Sequence, residues 1–70
     1  MERTQVDHSS NISSVGFDEE SSTLEIEFHS GAVYQYFDVP LIVYESLMGA
    51  ESKGKYFMQF IKGFFRFVKV

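Results

Sequence analysis

The sequence contains no cysteine, no tryptophan and only two histidines among its 70 residues. The absence of cysteine excludes a disulfide framework and a thiolate metal site, and two isolated histidines cannot complete a structural zinc centre. Long hydrophobic runs are also missing: no stretch approaches the roughly 18 apolar residues of a membrane helix, and the first residues lack the apolar segment of a signal peptide. We therefore expect a cytoplasmic protein with no cofactor and no membrane partner.

Aromatic rings are abundant instead, with eight phenylalanines and four tyrosines. A chain of this length forms one small domain that buries only about 60% of its unfolded surface, so a few large rings must supply the core. We expect a single domain over residues 1–70 with its core at about 6–63. Residues 1–5 are predicted to be a tail, and residues 64–70 remain open between tail, helix and strand.

The net charge of −4 conceals an uneven distribution. Residues 1–51 contain all ten acidic residues and one base, Arg3, whereas residues 52–70 contain the other five bases and no acid. A basic part of this kind suits a protein that binds phosphate, but in so small a domain the two parts can also neutralise each other. Both interpretations stay open at this stage.

Three segments have the pattern of strands. Thr23–Phe28 alternates apolar residues with glutamates, Ile12–Phe17 precedes it, and Ala32–Phe37 follows the turn residues Ser30 and Gly31. Helical spacing begins near Pro40 and continues to Gly49, and a second helix is predicted at about 53–63 after the N-cap residue Ser52. The sequence thus predicts an α+β fold, a three-stranded antiparallel meander covered on one face by two helices.

The tyrosines on the third strand depend on the register of its hairpin. A two-residue loop places Tyr34 and Tyr36 beside the glutamates of the second strand, whereas a three-residue loop with a glycine bulge places them on the core face. We favour the core face, because it exposes Gln35. Tyr34, Tyr36 and Tyr56 are candidate aromatics that either stack on nucleobases or fill the core.

Several short motifs, in order along the chain, resemble those of the KTSC domain family. They are Ser9-Ser10-Asn11-Ile12, Val15-Gly16-Phe17-Asp18, Val33-Tyr34-Gln35-Tyr36-Phe37 with Val39-Pro40, Val43-Tyr44 with Leu47, and Ser52-Lys53-Gly54-Lys55-Tyr56-Phe57 with Ile61. The resemblance covers residues 6–62. It implies a small domain that occurs at the C-terminus of some lysyl-tRNA synthetases and as stand-alone bacterial proteins, and the synthetase fusion suggests RNA binding. The chain departs from the family pattern at Met58, where members usually have Asn, and at Phe60.

The basic segment is the first candidate site. Lys53 and Lys55 stand at the beginning of a predicted helix, where the dipole favours an anion such as phosphate, and Gly54 would allow its close approach. If the helix continues, Lys62 and Arg66 lie on the same side as Lys55 and form a basic strip suited to a nucleic-acid backbone. The alternative is an ordinary solvated face of an amphipathic helix.

The C-terminal phenylalanines are a further candidate. Phe64, Phe65 and Phe67 cannot all be buried if this segment is one helix or one strand. Either some of them form an apolar patch for a protein partner or a homodimer, or they pack on the helix and seal the open end of the sheet.

Catalytic and metal-binding patterns are absent from the sequence. Asp7, His8 and Ser9 are neighbours, but their side chains alternate in direction in an extended segment and cannot form a relay. A domain this small also lacks the depth for a pocket that excludes water. We predict a non-enzymatic binding protein with no catalytic residue, metal or small-molecule substrate, RNA being the first partner hypothesis and protein association the alternative.

Overall fold

The computed structural model describes residues 1–7, 9 and 11–70. Its sheet is an antiparallel meander of five strands in sequence order, and two helices follow the fourth strand. The α+β class is therefore confirmed. The strands are β1 (Arg3–Gln5), β2 (Ile12–Asp18), β3 (Thr23–Phe28), β4 (Val33–Tyr36) and β5 (Phe67–Lys69); the helices are α1 (Leu41–Gly49) and α2 (Lys53–Tyr56), and α2 continues directly into a π-helical turn (Phe57–Ile61).

The prediction of three strands is wrong because it leaves out both edge strands. β1 lies in the expected N-terminal tail and pairs with β2, with Arg3 opposite Gly16. β5 comes from the segment left open and pairs with β4, with Phe67 opposite Tyr36. Each edge strand has only three residues, all of them exposed. Neither therefore has the alternation of buried and exposed side chains by which a strand is recognised.

The hairpin between β3 and β4 has the three-residue loop. The Gly31 N–H donates to the Phe28 carbonyl, and Gly31 adopts a φ of 95°, a conformation that favours glycine. This loop sets Tyr34 and Tyr36 opposite the apolar residues of β3, whereas Gln35 lies opposite Glu25. The prediction that both tyrosines share the core face of the sheet is confirmed.

The core lies between this face of the sheet and the helices. At one end Phe17 of β2 stacks on Tyr44 of α1, with ring centroids 4.9 Å apart. The fully buried apolar side chains are Ile12, Val15, Leu24 and Ile26 from the sheet, Val39 from the loop before α1, Leu47 from α1 and Ile61 from the π-helical turn.

No helix in the described part of the chain is long and apolar enough to span a membrane.

The opposite face of the sheet carries the glutamates of β3. Glu25 accepts a hydrogen bond from Gln35 Nε2 at 2.8 Å and pairs with the Arg3 guanidinium at 3.3 Å. Glu27 accepts a hydrogen bond from Ser14 Oγ at 2.9 Å. These two carboxylates therefore point away from the helices and from the lysines of α2.

The second helix begins as predicted and ends earlier. Ser52 Oγ accepts a hydrogen bond from the Lys55 N–H at 3.3 Å, as an N-cap does. At the other end, the Lys62 N–H donates at 2.8 Å to the carbonyl five residues earlier, which closes the π-helical turn. Gly63 then has a φ of 86° and turns the chain away from the helix. The predicted basic strip is wrong beyond this point, because Arg66 no longer lies on the helix.

Candidate nucleic-acid interface

Two adjoining clefts border the helix formed by α2 and the π-helical turn. The aromatic cleft has a volume of about 780 Å³ and lies against the core face of β4, next to the β3–β4 hairpin. The basic cleft has a volume of about 440 Å³ and lies between α2 and the loop that connects β1 to β2. Asn11 and Met58 line both clefts. The two clefts are therefore neighbours, and we call the two together the binding groove.

Five phenylalanine and tyrosine rings line the aromatic cleft. The rings of Tyr34 and Tyr36 are stacked on β4 with centroids 6.4 Å apart. Phe67 of β5 extends this surface, 5.8 Å from the Tyr34 ring and 5.7 Å from the Tyr36 ring, and remains 53% exposed. Phe28 and Phe57 meet edge to face at 5.4 Å and connect the cluster to the core. The cleft therefore presents ring faces and edges that suit another flat ring.

Tyr36 adds one polar atom to this apolar wall. The side chain is only 4% exposed, and its hydroxyl has no hydrogen-bond partner among the described residues. Tyr36 is one of the residues that line the aromatic cleft. Burial, together with the neighbouring Tyr34, raises the pKa of Tyr36 to about 12. At neutral pH the hydroxyl thus keeps a proton to donate.

Lysines stand beside the aromatic cleft. Lys62 follows the π-helical turn, is exposed and lines the cleft. Lys69 lies opposite Tyr34 in the pairing of β4 with β5, on the same face of the sheet as the rings. No acidic residue in the described part of the chain lines this cleft. An anionic group attached to a bound ring would therefore meet cations here.

The basic cleft contains charges of both signs. Lys53 and Lys55 line it together with Asp7 and Glu51. Lys53 Nζ also donates to the Ala50 carbonyl at 3.3 Å, which helps to cap the end of α1. Lys55 is the more exposed of the two lysines. Lys55 is thus the more accessible cation of this cleft, and the two carboxylates offset part of its positive charge.

The structure brings together four of the five predicted phosphate-binding residues. Lys53, Gly54 and Lys55 line the basic cleft, and Lys62 lines the aromatic cleft. Arg66 lines neither cleft: its guanidinium lies 3.5 Å from the Asp38 carboxylate and 5.4 Å from the centroid of the Phe37 ring. The turn at Gly63 is the reason for this separation.

The remaining aromatic candidates have different surroundings. Tyr56 lies against Phe60, with the ring centroids 4.8 Å apart and the ring planes tilted by 40°, and it lines neither cleft. Phe65 packs against the core, whereas Phe64 is 68% exposed. The burial expected for Phe65 is therefore confirmed, the packing of Phe64 on the helix is wrong, and association through exposed rings stays a prediction.

Sequence reasoning missed Phe28, Phe57, Asn11 and Met58 as residues of the groove. The one available signal was the alternation of β3, which placed Phe28 on the same face as the tyrosines if the loop had three residues.

No group of three or more His, Asp or Glu side chains in the described ranges is arranged to hold a metal ion. The sequence Asp7-His8-Ser9 includes His8, which lies outside the described residues.

Comparisons with known proteins place these features in context. The sequence matches the KTSC domain over residues 8–66, so β1 and β5 lie outside the matched segment. It is 53% identical over 51 residues to a lysine–tRNA ligase of Trichormus variabilis, a match that spans 73% of this chain and 9% of the ligase. It is 46% identical over 54 residues to an uncharacterized protein of Stutzerimonas stutzeri, covering 77% of this chain and 76% of that protein. The crystal structure of a KTSC domain protein from Yersinia pestis superposes with a TM-score of 0.95 at 40% identity, covering 99% of this chain and 96% of that chain.

Proposed function

This chain belongs to the KTSC domain family, and we propose that it is a non-enzymatic module that binds single-stranded RNA in the binding groove. The observation that carries the proposal is the presence of Lys53, Lys55 and Lys62 in the same groove as accessible aromatic rings. Proteins bind single strands with this combination, because cations follow the phosphates while rings stack on the bases. The similarity to a segment of a lysine–tRNA ligase supports RNA as the nucleic acid.

The acidic residues of β3 lie on the face of the sheet opposite to the binding groove. Glu25 and Glu27 project from the opposite face of the sheet, where Arg3, Gln35 and Ser14 hold them. The sheet thus lies between a strand in the groove and these carboxylates. Within the groove itself, the three lysines Lys53, Lys55 and Lys62 face two carboxylates, Asp7 and Glu51, so the lining keeps an excess of positive charge.

The groove is short, and this sets the strength of binding. The helix over residues 53–61 is about 14 Å long at 1.5 Å per residue, which accommodates only a few nucleotides. With three lysines in contact with phosphates, we expect log Kd to rise with log salt concentration with a slope of about 2, or roughly 20-fold weaker binding between 50 and 200 mM salt.

The experiment is fluorescence anisotropy with a labelled single-stranded RNA decamer at several salt concentrations. Lys55→Gln and Lys62→Gln should each weaken binding and lower the salt slope by about 0.7. Arg66→Gln is the matched control, because it removes one exposed cation outside the groove. Binding that does not depend on salt, or that weakens equally in Arg66→Gln, contradicts the proposal.

A second candidate function is self-association through the C-terminal segment, residues 64–70. Phe64, Val68 and Val70 are exposed apolar side chains at or beside the edge strand β5. An edge strand with apolar residues is able to pair with another copy of the chain. Sedimentation equilibrium tests this candidate: it requires a mass above the 8.1 kDa of one chain that Phe64→Ser lowers.

A further inference from the structure

We propose that the aromatic cleft binds one nucleobase that is turned out of an RNA strand, with the Tyr36 hydroxyl donating a hydrogen bond to the edge of the base. This inference rests on the proposed function, because the strand in the basic cleft delivers the base. The proposed function requires cations near phosphates, whereas the inference requires a ring in a defined place. The two are therefore separable by experiment.

The shape of the cleft fits a flat ring. Tyr34 and Phe67 are inclined to each other by 36°, and Tyr36 and Phe67 by 35°, so Phe67 is tilted against the tyrosine pair at the side of the cleft. Phe67 leaves about half of its surface accessible on this side of the sheet. The volume of about 780 Å³ lies in the range that holds small ring-containing ligands.

The polar groups favour a nucleobase over an apolar side chain of a protein. Tyr36 lines the cleft with a hydroxyl that no described residue bonds, and an apolar occupant offers this donor no acceptor. A nucleobase has acceptor atoms around its edge. The Asn11 amide, at the junction of the two clefts, adds both a donor and an acceptor.

The backbone of this wall is held in place. The Asn11 carbonyl accepts a hydrogen bond from the His29 N–H at 2.8 Å, and His29 Nε2 donates to the Ser9 carbonyl at 2.9 Å. These bonds tie the loop before β2 to the β3–β4 hairpin. The Asn11 backbone is thus bonded to the hairpin, and a bonded backbone helps to position a side chain that recognises a base edge.

The charges around the cleft favour a nucleotide over a second copy of the chain. Lys62 lines the cleft, and Lys69 lies on the same face of the sheet. A symmetric dimer across this cleft would bring the lysines of both copies together, which is unfavourable. A nucleotide instead places its phosphate among them.

The test uses two RNA decamers of identical length and charge. One carries 2-aminopurine at its centre, flanked by uridines, and the other carries an abasic ribose at that position. The intact decamer should bind about 10- to 100-fold more tightly than the abasic one, and 2-aminopurine fluorescence should fall on binding as the base stacks. Phe67→Leu should remove most of this difference, whereas Phe64→Leu, a change at an exposed ring outside both clefts, should preserve it.

Tyr36→Phe isolates the hydrogen bond from the stacking. The variant keeps the buried ring and removes a hydroxyl that has no protein partner in the described structure, so we expect it to fold. It should weaken binding of the intact decamer about fivefold and leave binding of the abasic decamer unchanged. Equal losses for both decamers would assign the effect of Tyr36 to packing and overturn its role as a donor.

The outcomes separate the inference from the proposed function. If both decamers bind equally while Lys55→Gln and Lys62→Gln still weaken binding, the nucleobase site is wrong and RNA binding stands. If neither decamer binds at low salt, the proposed function fails, and the inference fails with it. If the chain is a dimer that Phe67→Leu dissociates and Phe64→Leu does not, the cleft is occupied by a second copy, and the nucleobase site is wrong.

Discussion

Gly54→Ala tests whether glycine at the beginning of α2 is needed by the fold. Gly54 does not adopt a positive φ, and a Cβ built on it would lie 3.7 Å from Asn11 Nδ2 and 3.9 Å from Ser9 Oγ. Both distances are ordinary van der Waals contacts. The added methyl group therefore fits without displacing the loop before β2, and it reduces the conformational freedom of the unfolded chain.

The expected gain follows from these contacts. Replacing glycine with alanine at a compatible position stabilises a protein by about 0.4–1 kcal/mol. For a domain of this size that corresponds to a rise in Tm of about 2–8 °C. Thermal unfolding followed by circular dichroism, together with guanidinium unfolding, measures both quantities. Gly49→Ala is a matched control for alanine in an exposed helical position, because Gly49 ends α1 and a Cβ added there would meet no atom within 4 Å.

The same variant examines how an anion enters the basic cleft. If lysine side chains bind the phosphates, Gly54→Ala should leave RNA affinity within about twofold of the wild-type chain, because the affinity then depends on charge. A drop in the free energy of unfolding would refute the reasoning about space at Gly54. A large loss of RNA affinity in a stable variant would show instead that phosphate approaches the backbone at this residue.

Three further predictions concern the sheet, the turn after α2 and Tyr36. Gly16→Ala should lower the free energy of unfolding by about 1–3 kcal/mol in guanidinium titrations, because the Cβ of the new alanine would lie 2.6 Å from the Glu2 carbonyl oxygen and force β1 away. An unchanged free energy of unfolding would contradict this close approach. Gly63→Ala should cost about 1–2 kcal/mol in the same assay, since φ there is 86° and no neighbouring atom is in the way; Gly63→Asn should recover part of the loss. Tyr36 should make the free energy of unfolding fall as pH rises between about 10 and 12, because the unfolded chain releases the tyrosine proton at a lower pH than the folded chain does. Tyr36→Phe should flatten this decline when unfolding is measured at alkaline pH. An unchanged decline would argue against the raised pKa.

The centre of the fold was predictable because its residues carry strong local signals. Glu25 and Glu27 alternate with apolar residues, which identifies both the strand and its core face. Ser52 is an N-cap type in front of a helical pattern, and its hydroxyl performs that role. Gln35 between two tyrosines favoured the correct register of the hairpin. In each case a pattern within a few residues determines the structure.

The edge strands and the groove were less predictable because they depend on distant residues. β1 and β5 are held by pairing with their neighbours and have no buried side chains of their own. The aromatic cleft joins Phe28, Phe57 and Phe67, which come from three separate parts of the chain. Helical spacing predicted that Lys55 and Arg66 lie on one side of a helix. The helix ends before the turn at Gly63, so this spacing does not apply to Arg66.

One wall of the aromatic cleft depends on the pairing of a very short strand. β5 has three residues, and flanking bonds hold it in place, from the Phe37 N–H to the Arg66 carbonyl and from the Val70 N–H to the Val33 carbonyl, both at 2.8 Å. Short edge strands separate from a sheet at a smaller free energy than global unfolding requires. Whenever β5 detaches, Phe67 leaves the cleft with it. A ligand that contacts Phe67 is therefore thermodynamically linked to strand pairing, and its binding must slow amide hydrogen exchange across β5.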